Sequence, residues 1–357
     1  MIERLSLTNF RCVSHAVLEP GLGFNILAGQ NAQGKTSTLE GIHLASTGRL
    51  WMSAKDAQAI REGSDDSSVS VILNGTGTEI EVKLSRSHRK KALLNGLGLP
   101  RASDLLGRLP CVSFSARDLD IAKGGPSDRR DFLDEELAQL YPAYLKNLTL
   151  YKRAIEQRNH LLKTARNQYV HTAEFEPWEH HICESGNSIR RMRQEWLLDL
   201  VVEARQAHAF LGSGETLDVQ IQENDDGLSL DLLTNTRLDD IHRGSTSLGP
   251  HRDEMVITVG GMEARGFGSQ GQQRTSVIAL KLGVQALAKR LFGQPPVLLL
   301  DDVFSDLDAT RRSKLVEHAM TEGGQVFLTC TEAELAGKEL LSRSTLFKVR
   351  SGEVEKQ

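Results

Sequence analysis

The sequence predicts an α/β head interrupted by a helical arm, and three observations carry that prediction. Short strand-like runs flank a glycine-rich turn near the N-terminus. From about residue 128 to 210 apolar residues recur at three- and four-residue spacing, as in Leu140, Tyr144, Leu148 and Tyr151, then Ile189, Met192, Trp196 and Leu197. That is the period of helices with one buried face. After Gly212-Ser213-Gly214 strand character returns, and it ends in short, wholly apolar runs of the kind buried in a parallel or mixed sheet. These shifts place the head at 1–125 and 212–357 and the arm at 126–211.

Taken in order, residues 2–7 and 24–28 read as strands, and a helix follows the glycine-rich turn from 35 to 46. Ile2, Leu5, Leu7 and Phe10 alternate with polar residues, which is a strand pattern and not the charged-then-apolar pattern of a signal peptide. Three short runs between 68 and 94 are separated by Asn74-Gly75, residues 85–91 and Asn95-Gly96, which suit hairpins. Residues 111–114 make another strand. Pro177 interrupts the helical block and is expected at a bend between helices. Strands follow at 217–221 and 255–259, a long helix at 271–290, and apolar strands at 297–300 and 325–329.

The bulk composition excludes several classes. The 357 residues are 39% hydrophobic and 25% charged, as in ordinary globular chains. Aromatics make up 5%, so no stacking surface for single strands is advertised. The net charge of −4 argues against a nucleic-acid coat protein, and any nucleic-acid site must be a local basic patch. Cys12, Cys111, Cys183 and Cys330 lack metal-ligand spacing and read as reduced, mostly buried thiols. No apolar run approaches the length of a bilayer span. A cytoplasmic protein without a membrane partner is expected.

Gly29-Gln30-Asn31-Ala32-Gln33-Gly34-Lys35-Thr36, continuing into Ser37, is a P-loop pattern between a predicted strand and a predicted helix. Its backbone N–H groups and helix N-terminus would cradle phosphates. Lys35 would reach the β- and γ-phosphates of ATP, and the Thr36 hydroxyl would bind Mg²⁺. A glycine-rich turn that merely joins strand to helix would share the composition but not this context. The apolar run ending in Asp301-Asp302 is a Walker B pattern: Asp301 would hold the Mg²⁺ through water, and Asp302 would polarise the attacking water. Ser269, Gly271 and Gln272 stand at the start of the long helix, where Ser269 could equally serve as a helix cap.

The order P-loop, Ser-x-Gly-Gln, Walker B, then Ser305-Asp306-Leu307-Asp308 resembles ABC-type ATPases, in which the Ser-x-Gly-Gln signature contacts the γ-phosphate held by the other subunit. The opening from Leu5 to Arg11 resembles the first strand of RecF, Rad50 and SMC heads, and the resemblance implies a nucleotide role for Arg11. Phe114-Ser115, Asp118-Leu119, Gly124 to Asp134, Gly249-Pro250-His251-Arg252-Asp253 and Ser269 to Arg274 are similar to the RecF family of recombination mediators. The similarity runs from Leu5 to about Glu332, and no long heptad coiled coil of the Rad50 or SMC kind is present. It implies an ABC/SMC-type ATPase head whose ATP-dependent homodimer binds double-stranded DNA and single-strand/duplex junctions, and which works with RecO and RecR to load RecA.

The chain also departs from these patterns. Ala116 replaces the family's usual proline, no Q-loop glutamine stands near 112–118, and residues 328–332 offer hydroxyls where ABC proteins place a switch histidine. Asp302 stands where ABC proteins often carry glutamate. Slow hydrolysis that times a dimer is the expectation. For DNA, the basic candidates are Arg86, Arg89, Lys90 and Lys91, with His88 in the same run, and Lys123, Arg129 and Arg130; a solvated surface is the competing reading. Arg190, Arg191 and Arg193 could serve DNA, a partner or helix solvation, and His43, His180, His181 and His318 read as structural. The rivals are an ABC transporter ATPase, an OLD-type nuclease-linked ATPase and a DNA-binding protein with a dead nucleotide site. The last conflicts with intact Lys35, Thr36, Asp301 and Asp302.

Overall fold

The structure, a computed structural model, describes all residues except 52–54 and 213. Ser213 of the expected Gly212-Ser213-Gly214 boundary therefore lies outside the described residues. The chain packs as two compact units: 1–118, 210–212 and 284–357 form the first, and 119–209 and 213–283 form the second. These limits differ from those drawn on the sequence, because residues 213–283 cluster with the arm and not with the head. Composition marks where strands resume, but long-range pairing decides the grouping. Within the second unit, Leu217–Gln222 pairs with Glu254–Val259, and Arg190 of the arm bonds Asp225 and Asp253.

The first unit holds two six-stranded sheets. One is antiparallel, in the order Val13–Leu18, Ile2–Phe10, Asp66–Leu73, Glu79–Ser85, Lys91–Leu94, Leu97–Gly98. In the other, Thr345–Arg350, Phe24–Ala28, Val326–Cys330, Val297–Asp301 and Cys111–Phe114 run parallel, and Glu353–Lys356 folds back on the edge. The inner strands Val326–Cys330 and Val297–Asp301 are buried along their whole length, which is why their sequences are mostly apolar, with Thr329 and Asp301 at their C-terminal ends.

The helix Lys35–Thr47 lies in the core that both sheets share. Leu39, Ile42 and Leu44 are in one cluster with Leu5 and Leu7 of the antiparallel sheet and Leu27, Leu299 and Phe327 of the parallel one. Each such side chain contributes about 1.5–3 kcal/mol by leaving water. That burial fixes the helix against the strand ends from which the site is built.

The second unit contains the helices Pro126–Leu140 and Pro142–Ala165 and most of Glu176–Phe210. Pro177 is the second residue of the last, so it stands at a helix start, where a missing N–H costs nothing, and not at a bend. Arg158 is fully buried, and its guanidinium bonds Glu179 at 3.1 Å, Asp240 at 2.6 Å and Thr246 at 3.0 Å. A buried cation tolerates this only with its donors satisfied, and removing one partner carboxylate would cost about 3–5 kcal/mol.

Candidate nucleotide site

Three parallel strands deliver their C-terminal ends to one place: Phe24–Ala28 leads into the P-loop, Val297–Asp301 ends in the acid pair, and Val326–Cys330 lies between them. Ligands of open α/β sheets bind at that edge. The loop turns tightly, with Ala32 at φ 62° and Gly34 at φ 112° in the left-handed region. Gly34 precedes the helix without a side-chain cap, and the first helical turn has no acidic residue. The N–H groups and the positive end of the helix are thus left for an anion, as a phosphate cradle requires.

Lys35 is only 7% exposed. Its ammonium donates to the carbonyls of Gly29 and Gln30, the latter at 2.9 Å. Burial pulls its pKa down from the ordinary lysine value, opposed by the charges of Asp302, Cys330 and Asp301. Thr36 Oγ1 lies 2.9 Å from each oxygen of Asp301. A hydroxyl and a carboxylate side by side are hard oxygen donors suited to Mg²⁺. Burial pushes the Asp301 carboxyl up, and hydrogen bonds from Thr329 and Thr36 hold it down. A divalent cation there would favour the anion.

Asp302 has φ 53°, a left-handed backbone that is unusual for a side chain with a Cβ. Thr329 holds it there: its hydroxyl accepts from Asp302 N–H at 2.9 Å and donates to Asp301 Oδ1 at 2.8 Å. Sequence reading noted Thr329 only as standing in a stretch without a histidine. The strand register, Asp301 opposite Thr329, is what reveals its role. Glu40 was also missed. It grips the Arg11 guanidinium in a two-point pair at 2.7 Å, and Arg11 further donates to the Gln58 carbonyl at 2.8 Å. Arg11 thus sits beside the P-loop helix with its donors largely engaged. The neighbouring Cys12 thiol lies 3.7 Å from the Ser37 hydroxyl.

The signature residues stand in the second unit. Ser269 N–H donates to Gln272 Oε1 at 2.6 Å, and Gln272 N–H donates to Ser269 Oγ at 3.2 Å, a reciprocal capping box at the start of Gln270–Phe292. The capping role is therefore present, and it leaves Ser269 exposed. Gly271 and Gln272 are half-buried, and Gln272 also bonds Glu215. Asp308 caps the helix Ala309–Glu322.

The basic candidates divide sharply. Arg89 and Lys91 are exposed and have no ion-pair partner among the described residues. They line a 460 Å³ cavity with His88, Lys83 and Thr8. Lys90 is paired with Asp56 at 2.9 Å, and Arg86 donates to the Ser64 carbonyl at 2.9 Å. Lys123 is exposed, 3.6 Å from Asp120. Arg130 is half-buried and donates to the Asp253 carbonyl.

Arg129 is a correction. It is 3% exposed, bonded to Glu254 at 2.6 Å and to the Gly124 carbonyl at 3.1 Å, so it holds the second unit together and cannot reach a phosphate. Arg190 and Arg193 are likewise buried, on Asp225 and Asp253 and on Asp134 and the Pro250 carbonyl. The segment Gly249 to Asp253 is thereby explained as packing: Pro250 and Asp253 receive arm arginines, and His251 sits between Tyr151 and Thr246. Burial pushes the Cys330 and Cys183 thiols up to about 11, which keeps both in the thiol form at neutral pH.

A family model described as an AAA domain matches residues 4–188. The DNA replication and repair protein RecF of Agathobacter rectalis is 35% identical over 99% of this chain and 99% of its own length. The chain belongs to the RecF family. Two solved structures of the recombination mediator protein RecF in the RecFOR pathway, in RecF-ATPrS and RecF-ATP forms, superpose with TM-scores of 0.91 and 0.89 at 29% identity. They cover all of this chain and 98% and 97% of theirs. The Smc head domain of Pyrococcus furiosus, at 15% identity and a TM-score of 0.57 over all of this chain and 95% of its own, shares the fold alone. The expected ABC/SMC-type head with its helical arm is thus the fold of a RecF family member. No helix among the described residues is long and apolar enough to cross a membrane.

Proposed function

We propose that this RecF family chain is an ATP·Mg²⁺-dependent molecular switch that dimerises on double-stranded DNA. The observation that carries the reading is the convergence of an uncapped P-loop helix, buried Lys35, the Thr36–Asp301 pair and Asp302 at one sheet edge. Gln30, Asn31 and Ala32 are exposed at the loop tip, where phosphates approach, while Ser37 sits in the first helical turn. Lys35 would neutralise phosphate charge, and Thr36 and Asp301 would hold the metal, which would supply further charge neutralisation. Asp302 is the group left to orient a water molecule. Its short side chain reaches less far than glutamate, which favours slow turnover and a long-lived dimer.

Ser269, Gly271 and Gln272 are proposed to complete the site of a second copy. Arg89 and Lys91 are proposed to contact DNA phosphates at duplex near single-strand gaps, with Lys90, Arg86, Lys123 and Arg130 secondary because they are already partnered. The work with RecO and RecR in loading RecA, and a cytoplasmic location, follow from family membership and stand as part of this proposal. Sedimentation velocity with and without ATP, then with duplex DNA, tests it. The expected result is a monomer without ATP, a dimer with ATP and co-sedimentation with duplex. A monomer under all three conditions would refute the switch.

A further inference from the structure

The P-loop touches a turn more than 300 residues further along the chain. Thr345–Arg350 and Glu353–Lys356 form a hairpin closed by Ser351 and Gly352, at φ 50° and 81°. Both turn residues lie in the left-handed region, as a tight two-residue hairpin turn requires. Ser351 N–H donates to Gln33 Oε1 at 2.6 Å, and Gly352 N–H donates to the Gln33 carbonyl at 2.9 Å. Two glycines mark the closeness of the contact. A Cβ on Gly29, the first P-loop residue, would collide with the Val349 carbonyl, and one on Gly352 would collide with the Cys12 carbonyl.

We infer that the Ser351-Gly352 turn is a positioning element of the nucleotide site, setting ATP affinity by fixing the Gln33–Gly34 peptide. The peptide unit is planar and trans, so its C=O and N–H point in opposite directions. With the Gln33 carbonyl held by Gly352, the Gly34 N–H is directed away from the hairpin. A loop held this way is preorganised for an anion, and the ordering cost of binding is already met. The Gln33 side chain therefore faces the hairpin as a strut, and its carbonyl and amide serve the loop rather than the phosphates. This inference rests on the nucleotide reading of the P-loop.

The test uses the full chain with ATP·Mg²⁺ as the probe in binding titrations and steady-state hydrolysis. Gln33→Met keeps side-chain length and removes the acceptor. Gly352→Ala strains the turn and drives a methyl into Cys12. Losing one such hydrogen bond is expected to weaken ATP binding roughly 2- to 12-fold. KM should rise with kcat unchanged, and the melting temperature should stay within the parent's range for Gln33→Met. In the double variant the loss should be smaller than the product of the two single losses, because each loosens one of two neighbouring bonds between the same loop and turn. A purely structural hairpin would lower the folded fraction without changing the affinity of what remains folded. Parental affinity in both single variants, or strictly multiplicative losses, would overturn the inference. If Gly352→Ala does not fold, Gln33→Met alone decides. Lys35→Ala separates the two readings: if it loses ATP while the hairpin variants bind normally, only the strut fails. If it binds like the parent, the P-loop reading fails and the strut with it.

Discussion

Thr329 holds both Walker B acids through one hydroxyl, donating to Asp301 and accepting from the Asp302 amide. Thr329→Val keeps the shape and orphans that amide, a loss of about 1–3 kcal/mol. Hydrolysis titrated against Mg²⁺ should show a higher Mg²⁺ requirement and a lower rate, both restored by Thr329→Ser. A valine variant with parental Mg²⁺ dependence would make the threonine mere packing. Asp302→Asn should leave ATP binding intact and slow hydrolysis by about two to four orders of magnitude. Asp301→Asn should instead weaken Mg²⁺-dependent binding, since it would remove the proposed metal ligand. Rapid-quench rates and nucleotide titrations on the two side by side separate these roles. In the second unit, burial pulls His251 down to about 4. Its Nε2–H donates to the Thr246 carbonyl, so Nδ1 accepts from the Tyr151 hydroxyl. Protonating Nδ1 reverses that bond and leaves an imidazolium charge in a buried place. The depressed pKa contributes stability that is present above the unfolded value near 6.5 and is lost as pH falls towards about 4. Thermal unfolding should show a drop in melting temperature between pH 7 and pH 5 that shrinks in His251→Gln. An unchanged drop would assign the acid sensitivity to another group, though not to Asp134, which Arg193 holds below the usual carboxylate range so that its contribution is lost only below about pH 5.

The hairpin between Glu79–Ser85 and Lys91–Leu94 carries the DNA proposal, and the structure narrows it to the unpartnered side chains. Changing Arg89 and Lys91 together to alanine should flatten the log–log salt dependence of duplex binding by about 1.8, at about 0.9 per phosphate contact. Changing Arg129 should destabilise the second unit and leave that slope alone. Fluorescence anisotropy at several salt concentrations checks both, and a parental slope in the double variant would reduce the hairpin to a solvated turn. Elements of this kind were legible in the sequence where local pattern decides them. The strand at 24–28, the apolar run 297–300, the Asn-Gly hairpin and the P-loop helix all appear close to where the pattern put them. The closing hairpin was not read, because Thr345–Arg350 is half exposed and its role depends on a partner strand at residues 24–28. The arm arginines misled for a related reason. A run of charge looks solvated unless the acids that bury it are known, and those lie 35 and 63 residues further on.

For the whole molecule, the proposed dimer separates the two halves of the chemistry. Ser269→Arg adds bulk and charge at an exposed helix cap in the second unit, whereas the P-loop lies in the first. ATP should therefore still bind at about parental affinity, and the ATP-dependent dimer should disappear in sedimentation. A variant that dimerises normally would remove the signature from the interface. The hairpin strands, the apolar strands of a mixed or parallel sheet, the helix after the P-loop and the acid pair could be placed from patterning and motif order. The grouping of residues 213–283 with the arm could not, because it is written in ion pairs and strand register that no local period records. The strand Thr345–Arg350 beside Phe24–Ala28 has a consequence for synthesis. The phosphate loop is synthesised 318 residues ahead of the turn that braces it. Contacts so distant in sequence form late. A nascent chain would carry its phosphate loop through all of that interval without the means to hold it in shape, so ATP binding would stay weak until Gly352 has emerged.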